Sequence, residues 1–230
     1  MGRVVAFRNE VQLLQKPWME ESPVPVRTLS FMEVIKYGFP GRYMDKDMRR
    51  WKARNINNLF RGLYRITLAK SLHLPVVYGQ WCKAIIAPDG HRREYGLVSL
   101  RVFTRTGAAF AVDAFQGLVS LSSMRYHGLG SGFTVESIDD TALESEISSA
   151  YNPTGNRATG TLAEIDCPTT FRSVANTTVT STVEVSEVGL FSQASTTGGV
   201  MLDRAVITSE VLFSNFVHQT DFRLDWIPGS

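Results

Sequence analysis

The chain has 230 residues, of which 43% are hydrophobic and 20% are charged, and its formal net charge is +2. A chain of this length can bury the core of one large β domain, and no apolar run reaches the roughly 18 residues that a membrane span needs. Arg8 and Glu10 interrupt the N-terminal apolar residues before a signal-peptide core forms, so we expect no export signal. Cys82 and Cys167 lack the spacing of a zinc site or a disulfide framework, so we interpret both as ordinary thiols.

The charge is divided between the two halves of the chain. Residues 1–105 contain 19 Lys and Arg against 8 Asp and Glu, a net charge of +11, whereas residues 106–230 contain 5 against 14, a net charge of −9. This asymmetry predicts a basic segment that reaches an acidic partner or nucleic acid, or head-to-tail association of copies. The alternative is that the basic part folds over the acidic half of its own chain, because charge asymmetry constrains association more than fold.

The N-terminal region, residues 1–41, is predicted to form an extended arm. Its short apolar pieces are separated by Pro17, Pro23, Pro25 and Pro40. Proline removes a backbone donor and restricts the residue before it, so this composition disfavours a packed helical unit. An extended arm of this kind requires a partner surface to hold it.

Residues 42–94 are predicted to form a basic helical docking region. An amphipathic helix is predicted between Asp45 and about Leu72. Its apolar side recurs at i, i+3, i+4 and i+7 and consists of Ile56, Leu59, Phe60 and Leu63. Residues 42–70 contain nine Lys and Arg against two Asp, which makes this segment the positive centre of the molecule.

The candidate partner-docking residues are Arg49, Arg50, Trp51, Lys52, Arg54, Arg61 and Arg65. Their arginines can pair with carboxylates on a neighbouring protein subunit. Basic side chains among aromatic ones can also attract and stack on nucleic acid without sequence specificity. Because no RRM, KH or helix-turn-helix signature accompanies the charge, protein docking is the preferred interpretation and non-specific DNA contact is the alternative.

Residues 95–230 are predicted to form an antiparallel β-sandwich, so the predicted fold class is mainly β, with an N-terminal extended arm and one amphipathic helix. From Tyr95 the apolar period changes to two, and Thr106 and Gly107 are predicted to turn a hairpin whose second strand is residues 108–115. Further strands, rich in Thr, Ser and Val, are predicted at residues 157–165, 169–174, 177–191, 200–208 and 217–226.

An acidic cluster consists of Asp139, Asp140, Glu144 and Glu146. Thr141 and Glu144 have capping-box spacing, which predicts a short helix that begins here. A hard cation is the alternative, but a calcium site needs about six to eight organised oxygens and the D-x-D-x-D-G loop is missing. We therefore expect helix capping and no metal.

The four histidines have no Ser, Cys or carboxylate at a recognisable catalytic spacing, so we expect neither an enzyme nor a cofactor. His127, beside Tyr126, is interpreted as a packed or hydrogen-bonded residue at a strand end, with a ligand role as the alternative. Gly128, Gly130 and Gly132 lack the Gly-Lys-Ser/Thr of a phosphate-binding loop and are interpreted as turn glycines.

Residues 183–192 alternate apolar and polar side chains, and the pattern resumes at residues 200–204 after Gly198 and Gly199. This pattern is typical of a strand with a kink at Gly189, a turn and a return strand. We interpret these three glycines as structural turns too.

The turn and glycine motifs of residues 122–226 are YHGLGSG at 126–132, DTAL at 140–143, YNP at 151–153, EVGLF at 187–191 and GGVMLDR at 198–204. With these motifs the chain resembles virion structural proteins of tailed bacteriophages, a family of β-rich accessory head, neck or tail proteins. The resemblance implies an oligomeric structural component of the virion, assembled in the bacterial host cytoplasm. The implied partners are capsid, portal-proximal or tail subunits.

Two alternatives remain open. The first is a receptor-binding or glycan-binding module like those of tail fibres, which would need exposed aromatic rings among Trp226, Tyr126 and Tyr151. The second is a capsid decoration protein whose basic helix faces DNA, in which case its affinity for DNA should fall steeply with salt.

Overall fold

The computed structural model describes residues 60, 62–69, 71–101, 103–163 and 169–227. The predicted arm, residues 1–41, lies outside the described residues, and so do all the candidate docking residues except Arg65. Within the described ranges the chain forms two antiparallel sheets packed face to face, together with two helices. The predicted mainly β sandwich is therefore confirmed.

The first helix, α1, covers residues 62–69, and the second, α2, is Arg105–Phe115. The strands are β1 (Val76–Ile86), β2 (Arg92–Arg101), β3 (Tyr126–Gly130), β4 (Ala158–Thr159), β5 (Thr161–Leu162), β6 (Thr170–Thr178), β7 (Val183–Phe191), β8 (Met201–Leu212) and β9 (Val217–Ile227). Short 3-10 turns occur at Leu121–Ser123 and Ser148–Ala150. Sheet A has the order β2-β1-β9-β6-β5, and sheet B has the order β4-β3-β7-β8.

The main core lies between the two sheets. Trp81 on β1 packs against Phe222 on β9, with ring centroids 4.9 Å apart, and both side chains are fully buried. Leu129 of β3 and Val188 of β7 reach the same cluster from sheet B. Each such side chain contributes about 1.5–3 kcal/mol when it leaves water, which explains why the apolar positions of these strands turn inward.

Helix α1 forms a separate, smaller cluster on sheet A. Leu63 and Ile66 are buried against a group of residues on β1 and β2 that does not belong to the core between the sheets. That group is Tyr78, Cys82, Leu97 and Leu100. Helix α1 therefore covers the outer face of sheet A, and residues 62–69 confirm the part of the predicted helix that the structure describes.

The predicted start of the β region at Tyr95 is wrong, because β1 lies within the predicted docking region, residues 42–94. Polar residues in the middle of β1 obscure its pattern in the sequence. Gln80 and Lys83 are both buried: the Gln80 amide donates to Asp225, and Lys83 Nζ donates to Glu210 Oε2 at 2.6 Å. Because of such buried polar residues, the sequence of β1 resembles that of a strand with one face in solvent.

The strand predicted at residues 108–115 is also wrong, because these residues belong to α2. Thr104 Oγ1 caps the helix by accepting from Gly107 N at 2.9 Å, so the Thr-Gly pair starts a helix rather than turning a hairpin. A Cβ on Gly107 would lie 2.5 Å from Leu202 O, so glycine allows α2 to approach β8 closely. Phe110 then anchors α2 in the core.

Conversely, the helix predicted after the capping-box pattern is not formed. Residues 131–147 run as a loop over sheet B, and only a short 3-10 turn, Ser148–Ala150, follows. Two carboxylates of the acidic cluster bind elsewhere, because Asp140 and Glu144 both pair with Arg204 on β8. Their partner is an arginine that is distant in sequence, and not the backbone N–H groups of a local helix.

Candidate functional site

The outward side of α1 carries large apolar side chains. Tyr64 is 68% exposed, Leu68 is 44% exposed and Leu72, in the turn after the helix, is 57% exposed. Arg65, the one candidate docking residue that the structure describes, is exposed beside them. We call Tyr64, Arg65, Leu68 and Leu72 the α1 outer face. Exposed apolar groups rimmed by charge are typical of an interaction surface.

The sequence interpretation missed this face. It treated the series through Phe60 and Leu63 as the buried side of the helix, and Leu63 is indeed buried whereas Phe60 is 42% exposed. The signal was present in the spacing of Tyr64, Leu68 and Leu72, which recur every four residues. A helix with apolar residues on two sides can contact its own sheet and a partner at once.

A second exposed apolar surface lies on the loop of residues 131–147, which packs on sheet B. This segment contains five carboxylates and no Lys or Arg, and we call it the acidic loop. Three of its apolar side chains are exposed: Phe133 at 62%, Val135 at 69% and Ile138 at 46%. The sequence interpretation considered none of these three side chains.

A buried ion pair holds the acidic loop against sheet B. Arg204 Nε donates to Glu187 Oε2 at 2.7 Å, and both side chains are almost completely buried. A second Arg204 nitrogen donates to Asp140 Oδ2 at 2.9 Å. Glu187 also accepts from the backbone N–H of Gly132 at 3.1 Å and of Ser145 at 2.8 Å. The carboxylate thus ties both ends of the loop to β7.

Several of the glycines interpreted as turns lie within strands instead and allow close packing in sheet B. Gly128 and Gly130 lie within β3 and Gly189 lies within β7, so these three turn interpretations are wrong. A Cβ on Gly130 would clash with the Glu187 carboxylate, which explains the glycine. The chain does turn before β8, where Gly199 has φ of +90°, a conformation that favours glycine.

Of the two remaining glycines, one permits a turn and the other allows close packing. Gly198 belongs to the same turn before β8, as predicted. Gly132 lies in the acidic loop, where a Cβ would be 2.5 Å from the Glu144 side chain. The motif glycines therefore make room for carboxylates as often as they permit turns.

A second arginine clamp, which the sequence interpretation also missed, lies nearby. Arg157 donates twice to Glu146, with N···O distances of 2.7 and 2.9 Å, and lies 3.5 Å from the centroid of the Phe191 ring. Its remaining N–H groups reach the carbonyls of Gln193 at 3.1 Å and Ser195 at 2.9 Å. The arginine thereby fixes the turn between β7 and β8.

The remaining acidic residues of the cluster are also engaged. Asp139 pairs with Arg105 at 2.5 Å, with both side chains mostly exposed. The hydroxyl and then the amide of Thr134 donate to Glu144, which holds the pKa of that carboxyl below its usual value. In the ranges that the structure describes, no three His, Cys, Asp or Glu side chains form a group that could hold a metal ion.

Among the described residues, the hydrogen bonds of His127 form the arrangement most similar to a catalytic site. Its Nε2 lies 2.8 Å from Ser173 Oγ, as in a nucleophile and base pair, but its Nδ1 faces the Thr220 hydroxyl at 2.6 Å rather than a carboxylate. All three residues are buried, and burial lowers the pKa of His127 to about 3. The group links β3 to sheet A, which confirms the interpretation of a packed, hydrogen-bonded histidine.

Cys82 is a buried free thiol, and burial raises its pKa to about 12. A thiol of this kind is rarely the reactive thiolate, which agrees with the interpretation of Cys82 as an ordinary thiol. Cys167 lies outside the described residues.

An apolar cavity of about 650 Å³ opens beside α2, between that helix and the inner face of sheet A. Phe171, Leu224 and Trp226 line it, and Trp226 meets Phe115 edge to face at 5.9 Å. Its volume is in the range of small-molecule pockets. Its lining also includes Arg172, which is paired with Asp221 on β9.

No protein-family model matches the chain, and neither a curated protein nor a solved structure matches it. Among the residues that the structure describes, no helix has both the length and the apolar character that crossing a bilayer requires.

Proposed function

We propose that the protein is a structural component of a tailed-bacteriophage virion, an oligomeric accessory subunit that docks on head, neck or tail proteins through its N-terminal arm and α1. The observation that carries the proposal is the α1 outer face, on which Tyr64, Leu68 and Leu72 remain 44–68% exposed. Covering such side chains removes apolar area from water, at about 25 cal/mol per Å², so a partner surface is favoured there.

The sandwich suits a subunit of this kind. Arg204 and Arg157 donate hydrogen bonds to internal carboxylates and carbonyls, and these bonds fix the loops of sheet B in one arrangement. A preordered surface loses less entropy when it docks. The resemblance of residues 122–226 to tailed-phage virion proteins supports the same class of function.

The glycan-binding alternative gains little from the structure. Tyr151 is buried, with its hydroxyl bonded to Leu129, and so cannot contact a sugar. Tyr126 packs against a buried cluster that includes Phe191. Trp226 remains 45% exposed, but its ring is engaged with Phe115.

DNA contact is the second candidate, because exposed Arg65 stands beside exposed Tyr64, a combination suited to phosphate attraction and base stacking. The full-length protein should then bind DNA with an affinity that falls steeply between low and physiological salt. Binding that is absent or insensitive to salt would exclude this candidate.

Incorporation into particles tests the virion proposal. The tagged full-length chain is expressed during infection by the source phage, and purified particles are probed for the tag. We expect wild type to be present and Tyr64→Ser/Leu68→Ser, or a chain without residues 1–41, to be lost. A control, Val112→Ser/Leu118→Ser, removes side chains that are 53% and 69% exposed elsewhere and should be incorporated normally. Particles that lack the wild-type chain would refute the proposal.

A further inference from the structure

We infer that copies of this protein associate head to tail, with the α1 outer face of one copy packed on the acidic loop of the next. This inference deepens the proposed function, since it names the neighbour that covers α1. It commits to a second copy of the chain as the occupant of both surfaces.

The first support is the position of the two surfaces. Helix α1 covers the outer face of sheet A through Leu63 and Ile66. The acidic loop covers the outer face of sheet B, where Leu143 packs on Phe191 and Met201 in a cluster distinct from the core between the sheets. The part of this loop that presents apolar side chains runs along β8, the edge strand of sheet B, where Glu136 accepts from Val206 N. The two surfaces are therefore separate parts of the molecule.

The second support is similar apolar content. The α1 outer face presents Tyr64, Leu68 and Leu72, and the acidic loop presents Phe133, Val135 and Ile138, all between 44% and 69% exposed. Each set combines one aromatic ring with two aliphatic side chains. Aromatic anchors surrounded by smaller apolar groups are the usual centre of a protein interface.

The third support is charge complementarity. The five carboxylates of the acidic loop and Glu187 face three arginines, Arg105, Arg157 and Arg204, which leaves a local net charge of −3. The α1 outer face carries the exposed, positively charged Arg65. Opposite potentials attract two such surfaces and orient them.

The fourth support is the way in which the acidic loop is held. The Glu136 carboxylate accepts from Val206 N at 2.9 Å, and Ile138 O accepts from Arg105 N at 2.7 Å, so one side chain and one backbone carbonyl hold this segment to the rest of the fold. An untied loop could turn its apolar residues inward. This one is fixed in a conformation that displays them, as expected of a preordered docking surface.

Because the two surfaces differ, the contact is heterologous, and repeating it gives a closed ring or an open filament. A heterologous contact also has a diagnostic property. A copy with a damaged α1 outer face still has an intact acidic loop, and a copy with a damaged loop still has an intact helix. Mixing the two damaged proteins restores one contact and no more.

The experiment measures the mass of the full-length protein by sedimentation velocity and light scattering. Wild type should form assemblies larger than the 25.6 kDa monomer. Tyr64→Ser/Leu68→Ser and Phe133→Ser/Val135→Ser should each be monomeric, with association about thirtyfold weaker or more, as for the loss of anchor side chains. An equimolar mixture of the two should form a 1:1 dimer and nothing larger. Val112→Ser/Leu118→Ser should keep the wild-type mass.

Charge reversal provides a second test that does not depend on the apolar variants folding well. Arg65→Glu and Asp139→Lys change exposed side chains, and each should weaken assembly alone. Rising salt should weaken wild-type assembly in the same way. Circular dichroism checks that every variant is folded.

Two results would overturn the inference: wild type that stays monomeric at concentrations of about 100 µM, near −5.5 kcal/mol of association free energy, or a mixture of the two apolar variants that fails to dimerise. Either result leaves the virion proposal standing if the chain is still found in particles, because α1 would then dock on a different protein. Conversely, a protein that assembles in solution but is missing from particles would refute the virion proposal alone.

Discussion

The outer faces of the two sheets are each covered by one segment, the acidic loop on sheet B and α1 on sheet A, but different forces hold the two covers. The acidic loop is tied down by charge, with Glu187 at 0% exposure accepting from Arg204 and from loop amides. Helix α1 is held by the apolar contacts of Leu63 and Ile66, and its outer side stays exposed.

The comparison indicates how each cover should fail. Removing one partner from a buried ion pair leaves an uncompensated charge, so damage on sheet B should destabilise the whole fold. Removing an apolar contact beneath a short helix costs the transfer and cavity energy of a few methylenes, so damage on sheet A can remain local. The acidic loop is therefore an integral part of the fold, whereas α1 is attached to the surface of the fold.

Glu187→Gln should have the largest effect. Glu187 accepts from four N–H groups, those of Arg204, Gly132, Glu144 and Ser145. An amide has one acceptor oxygen, and its NH₂ group would face donors. We expect the free energy of unfolding to fall by about 4 kcal/mol, as when a buried pair is broken, and urea denaturation measures it.

The matched control is Glu184→Gln, since Glu184 lies on the same strand but is exposed. That change should alter the free energy of unfolding by less than about 0.5 kcal/mol. If Glu187→Gln were as mild as its control, the acidic loop would not depend on the buried pair.

Leu63→Ala tests the other cover and should have an intermediate effect. Leu63 is 8% exposed beneath α1, and its truncation should cost about 2 kcal/mol, at the low end for buried leucines because the cluster is small. If α1 opens locally, amide hydrogen exchange of residues 62–69 should accelerate about thirtyfold. The amides of Val188 and its neighbours in β7 should not change.

Leu68→Ala provides the comparison within the same helix, because Leu68 is 44% exposed and should exchange as in wild type. Equal acceleration in α1 and β7 after Leu63→Ala would show that both belong to one cooperative unit, contrary to the proposed difference between the covers.

The strands β7 and β8 were predictable from the sequence because their signals are local. Residues 183–191 have strand-forming composition, and Gly199 marks the turn before β8. The strand predicted at residues 177–191 is wrong at its start, which belongs to the end of β6 and the turn after it. The burial of Glu187 was not predictable, because alternation assigns a polar residue to solvent. A bulge between Val185 and Glu187 and the loop that crosses β7 bury that face as well.

The ion pairs escaped prediction because their partners are distant in sequence. Arg204 lies 64 residues from Asp140, and no local pattern connects them. Helix α2 was not predicted for the same reason. The Thr104 cap is local, but the contact of Gly107 with Leu202 is made only in the folded protein. Sequence periodicity predicts which way an element faces, but not what covers it.

Thr134→Val should have the smallest effect and isolates one interaction within the acidic loop. The Thr134 hydroxyl donates to Glu144 Oε1 at 2.6 Å and is the largest cause of the lowered pKa of this carboxyl. Removing the hydroxyl should raise the Glu144 pKa towards its ordinary value of 4.5, which NMR titration of the carboxyl measures. A lowered carboxyl pKa stabilises the folded state above the unfolded pKa, and this contribution disappears as the pH falls through the folded value. The difference in stability between wild type and variant should therefore be present at neutral pH and vanish in acid. Arg204 and Glu187 hold the loop by other bonds, so the loop should keep its position in this variant. An unchanged Glu144 pKa would therefore mean that the charges around the loop, and not the Thr134 hydroxyl, set that pKa.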